Sequence, residues 1–248
     1  MMISGSALVT GGSRGLGAHL CRRLAADGLA VAVNYRSDAD GASRVVTDIE
    51  AAGGRAVAFQ ADVTDEDDVA RLAAEIEQTL GPVRVVVANA TGPQPAAKAE
   101  NTTWQDHLDQ LVFFVKSPTL LLHATLPHMR RLGGGRFIHI GSDMVERALP
   151  GWSAYNAAKG AQLVLARTWA RELGVHGVTV NVVAPGWIPV ERHGEITEEN
   201  SADYVADVPL GRLGTPQEIA DVVSFVASDA ARFVTGERIT VNGGHTID

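Results

Sequence analysis

Short apolar runs alternate along the chain with longer amphipathic segments. The apolar runs are hydrophobic throughout, which is typical of strands that are buried on both faces of a parallel sheet. They predict seven strands, at residues 6–10, 30–35, 56–60, 83–88, 136–140, 178–183 and 238–241. The segments between them have a helical period and predict helices at residues 15–27, 38–52, 65–80, 103–131, 152–175 and 215–228.

The repeated order of strand and helix predicts an α/β fold. The expected architecture is a doubly wound parallel sheet with helices on both faces, the Rossmann fold. No linker, low-complexity segment or internal repeat divides the sequence, so residues 1–248 are predicted to form a single domain. The acidic segment 187–213, with a helix at 197–208, is predicted to be a lid over a substrate site.

Composition and charge narrow the class of protein. The chain has 248 residues and a formal net charge of −8, which argues against nucleic acid or an anionic membrane as its main partner. Cys21 is the single cysteine, so no internal disulfide can form, and no cluster has the spacing of metal ligands. The sequence has neither an apolar run of the ~18 residues that a membrane helix needs nor a secretory leader. These features predict a cytoplasmic protein without a bound metal.

A glycine-rich turn joins the first predicted strand to the first predicted helix. Gly11, Gly15 and Gly17 allow a tight turn and a close approach of a pyrophosphate to the backbone. Their spacing is G-x-x-x-G-x-G rather than G-x-G-x-x-G. Because ligands bind at the carboxyl ends of the strands in such a sheet, the turn predicts a dinucleotide site. Its predicted contacts are Gly11, Ser13, Arg14, Gly15, Leu16 and Gly17.

The residues after the second predicted strand indicate which dinucleotide binds. A site for NAD usually has an acidic residue here, whereas an arginine suits the 2′-phosphate of NADP. Arg36 occupies this place and Arg14 lies in the glycine-rich turn, so the sequence favours NADP(H). The alternative interpretation is that both are solvated surface arginines. The predicted contacts after this strand are Asn34, Tyr35, Arg36 and Ser37.

Further candidates for the dinucleotide site follow other predicted strands. Asp62 and Val63, after the third strand, offer a carboxylate and a backbone amide to an adenine. The remaining candidates are Asn89, Ala90 and Thr91 after the fourth strand, and Pro185 and Gly186 after the sixth.

Three residues after the fifth predicted strand form a candidate proton-transfer site. Tyr155 and Lys159 are four residues apart, so on a helix their side chains lie on one face. A free tyrosine has a pKa of about 10, and a nearby ammonium lowers that pKa. Ser142 offers a hydroxyl that can hydrogen-bond a substrate oxygen. The Tyr155–Lys159 spacing alone is common on solvated helices, but its place in a dinucleotide-binding sheet favours acid/base catalysis.

Together these motifs resemble the short-chain dehydrogenase/reductase family over nearly the whole chain, and most closely the branch of 3-oxoacyl-[acyl carrier protein] reductases and glucose dehydrogenases. The resemblance implies that Tyr155 protonates the substrate oxygen and that Ser142 orients it. Lys159 is implied to lower the pKa of Tyr155 and to hydrogen-bond the nicotinamide ribose. Hydride would pass between nicotinamide C4 and the carbonyl carbon, with the backbone near Ile188 binding the carboxamide. Asn181 is a further residue of the family pattern.

The sequence departs from the family pattern at three positions. The family usually has an asparagine in the long helix after the fourth strand, which holds a water on the proton path. No asparagine lies between residues 101 and 156, and alignment puts either Phe114 or Leu111 at that position. The proton relay is therefore predicted to be rebuilt, slower or absent. Thr91 replaces a glycine and Val190 replaces a common threonine.

The resemblance implies NADPH-dependent reduction of a ketone or 3-oxoacyl-type carbonyl to an alcohol. The expected substrate is a small carbonyl compound, free or bound to a carrier, and the expected assembly is a homotetramer or homodimer. An NAD(P)-dependent alcohol or sugar dehydrogenase is the alternative within the same class of enzyme. A non-catalytic dinucleotide-binding protein is the second alternative, suggested by the missing asparagine, although the presence of Ser142, Tyr155 and Lys159 argues against it.

Overall fold

The structure is a computed structural model, and it describes residues 5–247 of the chain. Seven parallel strands form the central sheet of this part. The strands are β1 (Ser6–Val9), β2 (Ala30–Tyr35), β3 (Arg55–Gln60), β4 (Val83–Ala88), β5 (Gly135–Ile140), β6 (Val178–Pro185) and β7 (Arg238–Val241). Their order across the sheet is β3-β2-β1-β4-β5-β6-β7, and neighbouring strands pair in parallel. The predicted doubly wound sheet of about seven strands is therefore confirmed.

Helices cover both faces of this sheet. They are α1 (Gly15–Ala26), α2 (Ala39–Ala51), α3 (Glu66–Leu80), α4 (Trp104–Leu111), α5 (Ser117–Arg131), α6 (Met144–Arg147), α7 (Ser153–Leu173), α8 (Glu198–Asp207) and α9 (Pro216–Ala227). Thr215 caps α9 by accepting a hydrogen bond from the N–H of Glu218, and Pro216 occupies the first helical position. The sequence pattern predicts no helix at α6, which has only four residues. No helix within residues 5–247 is both long and apolar enough to span a membrane.

The buried apolar side chains form two clusters, which pack with different sets of helices. One cluster includes Leu20 of α1 and Ile219 of α9, and the other includes Leu72 of α3 and Trp169 of α7. Each central strand contributes residues to both clusters, because successive side chains of a strand point to opposite faces. This is the physical reason why the strand segments are apolar throughout.

The helix predicted at residues 103–131 is interrupted in the structure. Val112–Lys116 forms a π-helical turn between α4 and α5. A π-helical turn inserts an extra residue, so the side chains around it point in directions that a continuous α-helix would not give. Phe114 in this turn is buried and lies beside Tyr155, with 5.5 Å between the ring centroids.

The strand order reverses at β1 and β4, which are neighbours in the sheet. The chain leaves β1 toward β2 on one side, whereas β4 lies on the other side. The loops that follow the two strands diverge at such a point and leave a crevice at the carboxyl ends of the strands. Asn89, after β4, bridges this crevice by donating from Nδ2 to the carbonyl of Thr10 at 2.9 Å.

Candidate active site

A cavity of about 930 Å³ is lined by residues that follow strands β1 to β6. Every residue that the sequence predicts to bind the dinucleotide or to act on the substrate lines this cavity. The residues at or after the ends of β1, β2 and β3 are Gly11, Ser13, Arg14, Gly15, Leu16, Gly17, Asn34, Tyr35, Arg36, Ser37, Asp62 and Val63. Those at or after the ends of β4, β5 and β6 are Asn89, Ala90, Thr91, Ser142, Tyr155, Lys159, Pro185, Gly186 and Ile188. The fold thus brings together candidates from widely separated segments of the chain.

The glycine-rich turn has a geometry that requires glycine. A Cβ atom placed on Gly17 would lie 2.0 Å from the carbonyl oxygen of Gly11. Gly11 itself has a φ of +64°, in the left-handed region that side chains disfavour. Helix α1 begins within this turn, at Gly15, so its N-terminal N–H groups lie at the cavity. A phosphate group can approach the backbone closely here, and the turn therefore fits the pyrophosphate of a dinucleotide.

Two asparagines at the crevice stabilise the turn with their side chains. Asn34 is 2% exposed; its side chain accepts a hydrogen bond from the N–H of Gly11 at 3.3 Å and donates to the carbonyl of Ala61 at 3.1 Å. Asn89 is bonded to the backbone of Thr10, as described above. The amide of Asn34 is therefore engaged within the fold, and its backbone carbonyl also accepts a hydrogen bond from the N–H of Gly12 at 2.7 Å.

Arg14, in the glycine-rich turn, and Arg36, directly after β2, are exposed residues that line the cavity. The Nη1 atom of Arg36 lies 3.8 Å from Oδ2 of Asp62, and the Arg36 side chain is 65% exposed. The Oδ1 atom of Asp62 accepts hydrogen bonds from the backbone N–H and the hydroxyl of Thr64, at 2.9 and 2.6 Å. The residue that follows β2 directly therefore offers a guanidinium group where an NAD site would have a carboxylate.

Ser142 and Tyr155 meet in another part of the cavity. Ser142 follows β5, Tyr155 lies in the first turn of α7, and the Ser142 hydroxyl lies close enough to the phenol to influence its pKa. The phenol ring makes edge-on contacts with Phe114 and Trp152, at centroid distances of 5.5 and 5.9 Å. Burial raises the pKa of Tyr155 above its ordinary value, and the nearby Ser142 hydroxyl and the charge of Arg192 offset this only in part. The net direction is opposite to the lowering expected from a nearby ammonium, because desolvation of the phenol dominates.

Lys159 lies one helical turn after Tyr155 and is 5% exposed, with Nζ 5.8 Å from the centroid of the phenol ring. Nζ donates hydrogen bonds to the carbonyl of Ile140 at 2.6 Å and to Oε1 of Gln162 at 3.3 Å. It also lies 3.7 Å from the centroid of the Phe114 ring. Burial lowers the pKa of Lys159 well below its ordinary value.

Of the two candidates for the position of the family asparagine, Phe114 is the one that reaches the site. It contacts both Tyr155 and Lys159, whereas Leu111 ends α4 and is not among the cavity residues. Gln162 is a site residue that the sequence analysis missed. The signal that indicates it is a polar residue three positions after Lys159, on the same helical face.

The two other departures from the family pattern, Thr91 and Val190, also line the cavity. The hydroxyl of Thr91 accepts a hydrogen bond from Nε2 of Gln94 at 2.7 Å. Val190 lies against the glycine-rich turn, where its Cβ would be 3.5 Å from a Cβ placed on Gly15. Both substitutions therefore alter the wall of the cavity.

The segment after β6 contributes three further side chains to the cavity, Glu191, Arg192 and His193. Glu191 reaches the glycine-rich turn, with Oε2 3.4 Å from a Cβ placed on Gly15. Arg192 lies close enough to Tyr155 for its charge to influence the pKa of the phenol. The sequence shows Glu191 only as part of an acidic segment and does not single out Arg192 or His193, because their approach to the site depends on the path of the loop.

A glycine-rich turn at the reversal point of a parallel sheet, with a Ser–Tyr–Lys group in the same cavity, defines the class of dinucleotide-binding oxidoreductases. Residues 11–246 match the family model described as enoyl-(acyl carrier protein) reductase. The chain belongs to the short-chain dehydrogenase/reductase family, and the resemblance inferred from its sequence is confirmed.

Relatives and solved structures agree with this assignment. The 3-oxoacyl-[acyl-carrier-protein] reductase FabG of Staphylococcus aureus is 36% identical over 98% of this chain and 99% of its own length. A blue fluorescent protein from a metagenomic library, solved in complex with NADPH, superposes with a TM-score of 0.91 at 38% identity, covering 99% of both chains. A 7α-hydroxysteroid dehydrogenase complexed with NADH and 7-oxo glycochenodeoxycholic acid superposes with a TM-score of 0.92 at 33% identity, covering 98% of this chain and 94% of its own.

Proposed function

We propose that the protein reduces a ketone or a 3-oxoacyl-type carbonyl to an alcohol, with NADPH as the hydride donor. One observation carries this proposal: Arg14 and Arg36 line the same cavity as Ser142, Tyr155 and Lys159. A dinucleotide that has a 2′-phosphate near one end and a nicotinamide at the other matches this distribution of cationic and acid/base groups.

The cavity offers a set of residues for each part of the dinucleotide. The glycine-rich turn would hold the pyrophosphate, Arg14 and Arg36 the 2′-phosphate, and Asp62 with Val63 the adenine. The residues after β4 and the backbone near Ile188 would hold the nicotinamide end. Bound NADPH supplies the hydride, which no side chain can provide. The chain itself places the carbonyl group and delivers a proton.

Tyr155 is the proposed proton donor. Because burial raises its pKa, its hydroxyl is protonated at neutral pH, and this is the form that a donor needs. Ser142, which lies beside Tyr155 in the cavity, would orient the substrate oxygen at the same place. The ammonium form of Lys159 would stabilise the phenolate that remains after the proton has left.

The lid, the class of substrate, the assembly and the location in the cell are also proposals. Segment 187–213 would act as the lid, since Glu191, Arg192 and His193 from this segment already line the cavity. The name of the Staphylococcus aureus relative supports a small carbonyl substrate that is free or bound to a carrier. The complex of the 7α-hydroxysteroid dehydrogenase supports, as the alternative, an alcohol dehydrogenase that uses NAD(P) and a cyclic substrate. We further propose a cytoplasmic homotetramer or homodimer.

The test is a screen of NADPH oxidation against β-ketoesters, 3-oxoacyl thioesters, cyclic ketones and quinones, with Tyr155→Phe as the matched variant. We expect turnover of at least one class and a loss of about 100-fold or more in Tyr155→Phe, because the proton donor is removed. The affinity for NADPH, measured by fluorescence, should be retained in the variant. Turnover that is the same in both proteins would exclude Tyr155 as the donor, and no turnover with any class would favour a non-catalytic protein.

A further inference from the structure

The ammonium group of Lys159 has three N–H groups, and three acceptors of the chain surround it. The carbonyl oxygen of Ile140 lies 2.6 Å from Nζ, and Oε1 of Gln162 lies at 3.3 Å. The third is the ring of Phe114, whose centroid is 3.7 Å from Nζ, within the range of a cation–π interaction. The number of acceptors therefore matches the number of donors.

Two of these acceptors are side chains whose positions are fixed by the fold. Gln162 lies three residues after Lys159 on α7 and is 1% exposed. A side-chain amide buried to this extent needs hydrogen-bond partners, and Lys159 is one of them. Phe114 is 3% exposed and reaches Lys159 from the π-helical turn Val112–Lys116. The acceptors thus come from two different elements that close on the ammonium group.

We propose that Gln162 and Phe114 are positioning residues that hold the Lys159 ammonium beside Tyr155, Gln162 through its amide oxygen and Phe114 through the face of its ring. The inference rests on the proposed function, because it takes Lys159 to be a catalytic residue. It explains how the site is built without the asparagine of the family. A ring that attracts the cation fills that position, and the amide group is supplied by α7 instead.

The charges around Lys159 make this support necessary. Arg192 of the loop after β6 interacts electrostatically with Lys159, whereas His139 of β5 lies near Lys159 in its neutral form, and Tyr155 lies on the same helix. Within the described residues, none of the charges found to shift the pKa of Lys159 is negative. Desolvation and the charge of Arg192 therefore both oppose the ammonium form, whereas the three acceptors favour it.

Direct titration of Lys159 by NMR tests the proposal. The chain has only three lysines, so the ¹³Cε signals of lysine-labelled protein can be assigned with a Lys159→Met variant, and the exposed Lys98 and Lys116 serve as internal references. Gln162→Met removes the amide oxygen at similar volume, and we expect the pKa of Lys159 to fall by about one to two units. Gln162→Glu keeps an oxygen at the same reach and adds a negative charge, so the pKa should rise above that of the wild type.

Phe114→Leu removes the ring face and keeps the site apolar. We expect it to lower the pKa of Lys159 by about half a unit to one unit. The pH profile of carbonyl reduction gives a second measurement. In Gln162→Met, the alkaline limb of the profile should move to lower pH by the same amount as the pKa of Lys159 in the NMR titration. In Gln162→Glu, the limb should lie at or above its position in the wild type. A purely structural role for Gln162 would lower the melting temperature and leave the pKa of Lys159 unchanged.

The outcomes separate this proposal from the proposed function. A Lys159 pKa that stays within about 0.3 units of the wild type in both Gln162→Met and Phe114→Leu would overturn the positioning role, even if the enzyme is active. If only one of the two variants shifts the pKa of Lys159, the residue changed in the other variant has no positioning role. Conversely, both variants could show the expected pKa shifts although the wild type has no dinucleotide-dependent turnover. That result would reject the proposed function and would support the positioning of Lys159 by Gln162 and Phe114.

Discussion

The imidazole of His139 packs against the indole of Trp169, with 5.6 Å between the ring centroids and 34° between the ring planes. His139 is completely buried in β5, and neither of its ring nitrogens has a hydrogen-bond partner within residues 5–247. Burial, followed by the nearby charge of Lys159, lowers the pKa of His139 to about 3. The folded protein therefore holds this histidine in its neutral form throughout the physiological range of pH.

This burial predicts that stability falls in acid. The folded-state pKa of His139 lies below the unfolded value of about 6.5, so between pH 6.5 and pH 3 the unfolded chain binds more protons. Above pH 6.5 His139 is neutral in both states and costs no stability. As the pH falls from 6.5 to 3, the free energy of unfolding decreases, because only the unfolded chain can protonate this histidine. The contribution amounts to roughly 2.5 kcal/mol between pH 7 and pH 4.5.

Urea unfolding of wild type and His139→Leu at these two pH values measures that contribution. We expect the variant to lose about 2.5 kcal/mol less stability than the wild type on acidification. His123→Leu, which changes an exposed histidine of α5, is the matched control and should behave as the wild type does. Equal losses in wild type and His139→Leu would show that the burial of His139 does not govern the acid sensitivity.

Asn181 is predicted to stabilise the sheet edge. Although it belongs to the family motifs, its buried side chain donates to the carbonyl of Val234 at 2.8 Å and accepts from the N–H of Glu237 at 3.1 Å. Asn181→Ala leaves both backbone groups without this partner and should lower the free energy of unfolding by about 2–4 kcal/mol. Chemical denaturation measures the change, and the exposed Asn101→Ala should alter it by less than about 0.5 kcal/mol. A similar effect of the two substitutions would contradict this role.

Arg36 is predicted to set the preference for NADPH over NADH. Arg36→Asp replaces a guanidinium by a carboxylate at the end of β2, which removes a partner of the 2′-phosphate and repels it. The ratio of the dissociation constants for NADH and NADPH should fall by about 100-fold. Arg44→Asp makes the same change of charge on the exposed face of α2, outside the cavity residues, and should leave the ratio unchanged. Equal affinities in the wild type would refute the assignment of Arg36.

Glu191 is predicted to weaken dinucleotide binding. Its carboxylate lies at the glycine-rich turn near Gly15, where it would repel a pyrophosphate. Glu191→Gln should therefore tighten the binding of NADPH about twofold to fivefold at low salt, and less at high salt. Glu195→Gln, on the same loop and not among the cavity residues, provides the control for net charge. Fluorescence titration gives the dissociation constant of NADPH for each variant. Weaker binding in Glu191→Gln would show that the carboxylate of Glu191 supports dinucleotide binding rather than opposing it.

Much of the fold and of the candidate site follows from local sequence. The strands are recognisable because their apolar runs are buried on both faces, and most predicted boundaries lie within two residues of the observed ones. The glycines at 11 and 17 are required by the turn itself, whatever surrounds it. The shared face of Tyr155 and Lys159 follows from helical spacing alone.

Local sequence pattern is therefore sufficient for the α/β class, the order of the elements and the segments from which the site is assembled. The tertiary structure, in contrast, places a π-helical turn within residues 103–131 and brings Phe114 rather than Leu111 to the site. It alone paired Gln162 with Lys159 and reversed the expected direction of the Tyr155 pKa. The physical reason is that desolvation and long-range contacts depend on how several elements close around a group, whereas propensity and spacing act within one element.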